Sequence, residues 1–172
     1  MPRIAAPTQD QAPAGSQPAL EGVQKAFGFI PNSIKTMANA PAALNGYLAL
    51  GQALSKSSLS AAEREIVALA TSEVNGCNYC IAAHAALGKK VGLSKDDMLQ
   101  ALTGELNALA LLARQITESR GHLTDAQIAA ARDADLTDAK IVEVVALVAQ
   151  LTLTNYINNI AASDLDFPPF AR

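Results

Sequence analysis

The sequence predicts an all-α protein, and three observations carry that prediction. All eight prolines lie near the ends, at positions 2, 7, 13, 18, 31, 41, 168 and 169, so the strongest helix breaker is missing from 42 to 167. Ala and Leu dominate that span. Alternating runs of Val, Thr and aromatic residues, the mark of a half-buried strand, are absent.

Each element follows from local signals. Residues 1–19 carry Pro, Gln, Gly and Ser with little apolar content and read as an extended N-terminal arm, ordered only if docked. Residues 20–172 form the single helical domain that 172 residues allow. Leu20 to Phe27 reads as a short helix ended by Gly28, Phe29 to Asn32 as a turn, and 33–39 as a second short helix. Pro41 suits the first turn of a third helix reaching about Lys56. Ser60 with Glu63 three residues on is a capping box for a helix to about Val74, and Asn75-Gly76 is a stop or kink. A helix from Cys77 to Leu87 is expected to end at Gly88. Ser94 with Asp97 opens another to Thr103, and Glu105 to Arg120 reads as a long amphipathic helix closed by Gly121. Thr124 with Gln127 caps a helix to Asp133, and Thr137 opens the last long one, reaching Ala162. The Asp-Leu-Asp-Phe-Pro-Pro tail cannot continue it.

Composition excludes several partners. Half of the residues are hydrophobic and 17% are charged, which rules out bulk disorder. The net charge is −3, Lys and Arg are scattered, and aromatic residues are only 4%, so neither a phosphate-binding patch nor a base-stacking platform is expected. The most apolar stretch, 141–153, contains Glu143 and Gln150 and is too short for a bilayer. The start of the chain lacks the apolar run of a signal peptide. A cytoplasmic protein with resting thiols, and no membrane partner, is expected.

A shift of 77 residues lays Leu59-Ser60 on Leu136-Thr137 and Asn78-Tyr79 on Asn155-Tyr156. This reads as a duplicated helical unit, with coincidence between two amphipathic helices as the alternative. In the second copy Ile157 stands opposite Cys80 and Ala161 opposite His84, so the chemistry is expected in the first copy alone.

Both cysteines lie three apart, at 77 and 80, and one of the two histidines, His84, follows four later. On one helix, at about 100° per residue, Cys77, Cys80 and His84 share a face roughly 60° wide. Cα atoms at that spacing are about 5 Å apart, within disulfide range. A C-x-x-C pair near a helix start has its thiolate favoured by the dipole, and a nearby imidazole can take the proton. The second sulfur can then close a disulfide onto the oxidised first one. Glu65 can hold the imidazole in one tautomer if a break at Asn75-Gly76 folds the preceding helix back. The competing readings are core filler and a zinc site, for which Cys77, Cys80 and His84 leave the tetrahedron one ligand short. Glu73 reads as a solvated carboxylate and His122 as a surface histidine.

The Glu, C-x-x-C, x-x-x-His pattern at Glu65, Cys77, Cys80 and His84 resembles the AhpD-like alkylhydroperoxidase branch of the carboxymuconolactone decarboxylase superfamily. Gly28 to Asn32 and Met37 to Pro41 resemble it as well. The resemblance implies a helical bundle that assembles into homo-oligomers, trimers or dimers of trimers (hexamers). It implies a cofactor-free thiol peroxidase or disulfide reductase, with hydroperoxide as substrate and an external dithiol or thioredoxin-like protein as reductant. Cys80 is then the attacking sulfur, Cys77 the resolving one, and His84 with Glu65 the proton relay. The chain departs from better-known members at Tyr79, where they have His; a phenol does not relay protons near neutral pH. A non-enzymatic redox sensor, or a zinc-binding interaction protein using the same residues, is the alternative function.

Overall fold

The computed structural model describes residues 2–171; Met1 and Arg172, the outermost residues of the two expected segments, lie outside it. Among the described residues there is no strand, and the chain is an all-α bundle. The helices are α1 (Gln17–Phe27), α2 (Asn32–Met37), α3 (Pro41–Leu54), α4 (Ala61–Val74), α5 (Asn78–Lys90), α6 (Lys95–Thr103), α7 (Ala108–Ser119), α8 (Asp125–Asp133) and α9 (Asp138–Ala161).

Helix α4 is the axis of the bundle and packs against α5, α6, α7 and α9. Its residues Ile66 to Ser72 are buried without interruption, as expected of a helix covered on every side. One apolar cluster joins α4, α7, α8 and α9 through Val67, Leu112, Ala131 and Val144. A second joins α4, α5 and α6 through Leu69, Ile81 and Met98. A third, built on Leu20, Ile34 and Leu44, binds α1–α3 together and takes in Ile157 of α9. Leu20 and Leu44 are wholly buried. Truncating either to Ala would cost about 2–5 kcal/mol.

The expected caps are present. Ser60, Ser94 and Thr124 each form a complete capping box, with Glu63, Asp97 and Gln127. Four expectations need correction. Helix α1 begins at Gln17 rather than Leu20, after a 3₁₀ turn at Ala14–Ser16, so the arm is not extended to residue 19; Pro18 sits in the first turn, where its missing N–H costs nothing. Helix α7 begins at Ala108 rather than Glu105, because the Asn107 side chain accepts from the Ala110 N–H at 3.0 Å. Gly88 does not end α5; it is buried inside the helix, where an added Cβ would lie 3.2 Å from both Leu93 Cδ1 and Met98 Sδ. Helix α9 outruns the apolar stretch 141–153, and by length and composition it is long and apolar enough to cross a membrane. In this fold it is a packing helix, touching α2, α3, α4, α5 and α7 along one side.

The arm is docked. Ser16 Oγ donates to the Ala38 carbonyl at 2.8 Å, Asn39 Nδ2 to the Ala5 carbonyl at 2.8 Å, and the Arg3 N–H to the Ala161 carbonyl at 2.6 Å.

Candidate active site

The site forms where α4 breaks and α5 begins. Gly76 turns the chain at φ +62°, a conformation that suits a residue without Cβ. The turn is fastened to α9: Asn75 Nδ2 donates to Asn155 Oδ1 at 2.9 Å and Asn159 Nδ2 donates to the Asn75 carbonyl at 2.8 Å. Helix α5 therefore folds back along α4, and Glu65 reaches His84. The His84 Nδ1 to Glu65 Oε2 distance is 2.7 Å, and the two side chains are 20% and 17% exposed, which leaves the pair open at one edge.

Cys77 does not lie on the helix, as the shared-face argument expected. It is the N-cap of α5, at φ −92° and ψ 90°, and its sulfur accepts from the Cys80 N–H at 3.3 Å. The Asn75-Gly76 break that frees Glu65 also moves Cys77 off the face. The site remains compact, because Cys80 stands in the first turn directly above the cap. Both cysteines are free thiols and buried, Cys77 completely.

The two sulfurs are electrostatically unlike. The Cys80 thiol is held below its ordinary range, first by the hydrogen bond from the Cys77 thiol, then by the His84 charge and the Asn158 amide, all against burial. Asn158 Nδ2 donates to Cys80 Sγ at 3.3 Å. The Cys77 thiol is pushed up by its hydrogen bond to Cys80, by burial and by the Cys80 charge. Burial works against an imidazolium at His84, yet the Glu65 carboxylate beside it raises its pKa. The arrangement favours the proton on Cys77 and the thiolate on Cys80.

Cys80, His84 and Asn158 lie in the wall of a cavity of about 380 Å³; Cys77 does not line it. Three further residues of the site were not singled out in the sequence. Asn158 and Asn155 sit one turn apart on α9, and Asn155 Nδ2 donates to Ser72 Oγ at 3.1 Å. Tyr47 of α3 faces the same cavity, its phenol pushed up to about 12 by burial and by the Cys80 and Glu65 charges. Asn is a poor helix former, so Asn155, Asn158 and Asn159 inside an apolar helix were the available signal. They also amend the duplication reading, since α9 supplies polar contacts to the sulfurs although it lacks the reactive groups.

Tyr79 has another task. Its hydroxyl donates to Asp166 and accepts from the Ser33 N–H at 3.3 Å. Burial, then the Asp166 hydrogen bond, push its pKa up, so it stays a neutral phenol. Glu73 is half-buried rather than solvated, and His122 is exposed as expected. Among the described residues no three His, Cys, Asp or Glu side chains are grouped to hold a metal ion.

Residues 41–110 match the carboxymuconolactone decarboxylase family, a span that holds Glu65, Cys77, Cys80 and His84. The fold is similar to that of a peroxidase-related protein from Ralstonia eutropha with the alkylhydroperoxidase AhpD core. That likeness has a TM-score of 0.83 and 23% identity over 96% of this chain and 92% of that one. A peroxidase-related protein from a Silicibacter species is similar with a TM-score of 0.78 and 23% identity over 95% and 91%. The debrominase Bmp8, solved as a complex with 2,3,4-tribromopyrrole, is similar with a TM-score of 0.77 and 19% identity over 95% and 91%. No curated protein matches the sequence. The chain thus shares the helical-bundle fold of these proteins, and its match to the carboxymuconolactone decarboxylase family spans α3 to the start of α7, the stretch that carries the site at the α4–α5 turn.

Proposed function

We propose that the protein is a thiol peroxidase-like oxidoreductase that reduces organic hydroperoxides through Cys80 and Cys77. One observation carries the reading. A buried thiol of lowered pKa, held by Asn158 and by a second thiol, lines a cavity beside a carboxylate-paired imidazole.

The Cys80 thiolate attacks the terminal oxygen of ROOH. An S–O bond forms, the O–O bond breaks, and the alkoxide takes a proton from His84 to leave as ROH. The sulfur is then a sulfenic acid. The Cys77 thiol, deprotonated as it attacks, displaces hydroxide from Cys80; the S–S bond forms and water leaves. An external dithiol reduces this disulfide and is itself oxidised to a disulfide. Two electrons pass from dithiol to peroxide, and no cofactor is required. Glu65 holds His84 in one tautomer and stabilises its charged form.

The test is peroxide consumption under a supplied dithiol, in the wild type, Cys80→Ser and Cys77→Ser. Cycling turnover abolished by either substitution supports the reading. A single stoichiometric oxidation without turnover marks a redox sensor instead. The fold shared with a debrominase makes bromide release from a bromopyrrole under the same dithiol the second arm.

The reading includes self-association. Val142, Val145, Ala149, Leu153, Tyr156 and Ile160 are all exposed and recur every three to four residues along α9. A second copy of the chain is the occupant proposed for this apolar stripe. It is long, uncharged at those positions and able to pack against itself.

A further inference from the structure

The protein has seven aromatic residues, and five of them, Phe27, Phe29, Tyr47, Tyr79 and Phe167, line the cavity that holds Cys80. They come from α1, the α1–α2 turn, α3, α5 and the C-terminal tail, so no local sequence bias gathers them. Phe27 and Phe29 are large rings left 58% and 39% exposed. Phe167 meets both Phe29 and Tyr79 edge to face, at ring-centroid distances of 5.9 and 6.1 Å. Such walls favour a flat π-system over a branched alkyl group. At about 380 Å³ the cavity is small for a ligand site, too small for a long acyl chain lying wholly within it.

Polar groups mark the two ends. Asn158 is 4% exposed, and while its Nδ2 donates to Cys80, its Oδ1 is buried with no hydrogen-bond partner. A buried carbonyl oxygen without a donor is costly, and a hydroperoxide O–H at Cys80 supplies one. At the other end Lys90 lines the cavity, makes no ion pair among the described residues, and has no carboxylate among the lining side chains. Cys80, Ala83, His84, Leu87 and Lys90 follow one another along one side of α5. Ten residues separate the first from the last, about 15 Å along the axis. One benzene ring and the lysine stem bridge that gap together.

We infer that the cavity takes a small aryl-alkyl hydroperoxide whose ring carries an anionic group. The hydroperoxide proton is accepted by Asn158 Oδ1, the ring lies among Phe29, Tyr79 and Phe167, and the anion meets Lys90. This inference rests on the peroxidase reading for its reacting group and uses its balance: the substrate is reduced to the aryl-alkyl alcohol, and the supplied dithiol is oxidised.

Two measurements test it. The first compares kcat/KM for cumene hydroperoxide, its 4-carboxylate and tert-butyl hydroperoxide under a common dithiol. The expected order is carboxylate, then neutral aryl, then tert-butyl, with at least a tenfold gap between aryl and tert-butyl. Lys90→Gln should lower the carboxylate-to-neutral ratio by up to about fivefold, the scale of a rim charge. Phe167→Leu should lower the aryl-to-tert-butyl ratio. Equal values for all three peroxides, or ratios that neither variant moves, overturn the inference. The second is calorimetric binding of the unreactive alcohol, 4-(2-hydroxypropan-2-yl)benzoate, against tert-butanol. If no peroxide is consumed but the benzoate alcohol binds and loses affinity in Lys90→Gln, the peroxidase reading falls and the ligand class stands. If it binds no better than tert-butanol, the ligand class falls whatever the turnover.

Discussion

The Tyr79 hydroxyl donates a hydrogen bond to the carboxylate of Asp166, and the two residues lie 87 positions apart. The same carboxylate accepts from the Asn32 N–H at 2.6 Å. One exposed acid thus ties the first turn of α5 and the start of α2 to the C-terminal tail that carries Phe167. The phenol at 79 fastens a wall of the cavity, and its raised pKa suits it to that task rather than to proton transfer.

Tyr79→Phe removes a donor to Asp166 and the acceptor of the Ser33 N–H. A loss of about 1 kcal/mol in urea unfolding is expected, since the partners are partly open to water. Hydrogen exchange over 164–170 should quicken, while the pH profile of Cys80 alkylation stays in place. A shifted thiol profile would give Tyr79 the proton-relay role denied to it above.

Cys77→Ser should trap a sulfenic acid on Cys80 after one equivalent of peroxide, detectable by mass spectrometry with a dimedone-type probe. The wild type should instead lose two hydrogens as the intrachain disulfide forms. Labelling at Cys77 in Cys80→Ser, with none in Cys77→Ser, reverses the two roles.

The pH dependence follows from the directions of the shifts. Only the thiolate reacts, and the Cys80 thiol is held down, so its alkylation by iodoacetamide should be half-maximal below neutral pH. His84→Ala removes the positive charge and moves that midpoint upward. Turnover at neutral pH should fall by about 10²-fold or more. Glu65→Gln alone should do less, and nothing further once His84 is gone, because the pair acts as one unit. Additive effects, or an unmoved midpoint in His84→Ala, would exclude the relay.

Asn158→Leu removes the donor to Cys80 Sγ without touching His84. The Cys80 midpoint should rise by about one unit, equivalent to ~1.4 kcal/mol of lost thiolate stabilisation. The test is the same alkylation profile with far-ultraviolet circular dichroism as the control for folding. A midpoint equal to that of the wild type removes Asn158 from the thiolate's environment.

Self-association is read by sedimentation. Val142→Glu combined with Ile160→Glu puts charge at both ends of the exposed α9 stripe and should convert an oligomer to monomer at micromolar concentration. Identical sedimentation of variant and wild type places any interface elsewhere on the surface.

The helices were legible because their signals are local. Ser60, Ser94, Thr124 and Thr137 cap the helices they were expected to cap, and the Asn75-Gly76 break was read from its turn chemistry. The approach of Glu65 to His84 followed from that break. The placement of Cys77 did not, because counting 100° per residue assumes that the helix has already begun, and the same break ended that assumption one residue too late. Asn107 was overlooked as a cap because Glu105 offered an apparent earlier start. Tyr47, Asn158, Asp166 and Phe167 could not be joined to Cys80 by spacing, since each arrives from an element far away in the chain. Only the packing of α3, α9 and the tail around α5 brings them together.

Cys77 caps α5 and is, in the proposed cycle, also the resolving sulfur, and one atom cannot serve both tasks equally in both redox states. As a free thiol it accepts from the Cys80 N–H. Once joined to Cys80 it must turn towards a partner one turn away, and the first turn of α5 loses that acceptor. Oxidation is therefore expected to loosen the helix start, and reduction to tighten it again. In the proposed cycle the two sulfurs, buried as thiols, become reachable as a disulfide through the loosening that its formation causes. In the proposed peroxidase cycle this couples the helix start to the redox state, and amide exchange at 78–81 should quicken on oxidation and slow on reduction.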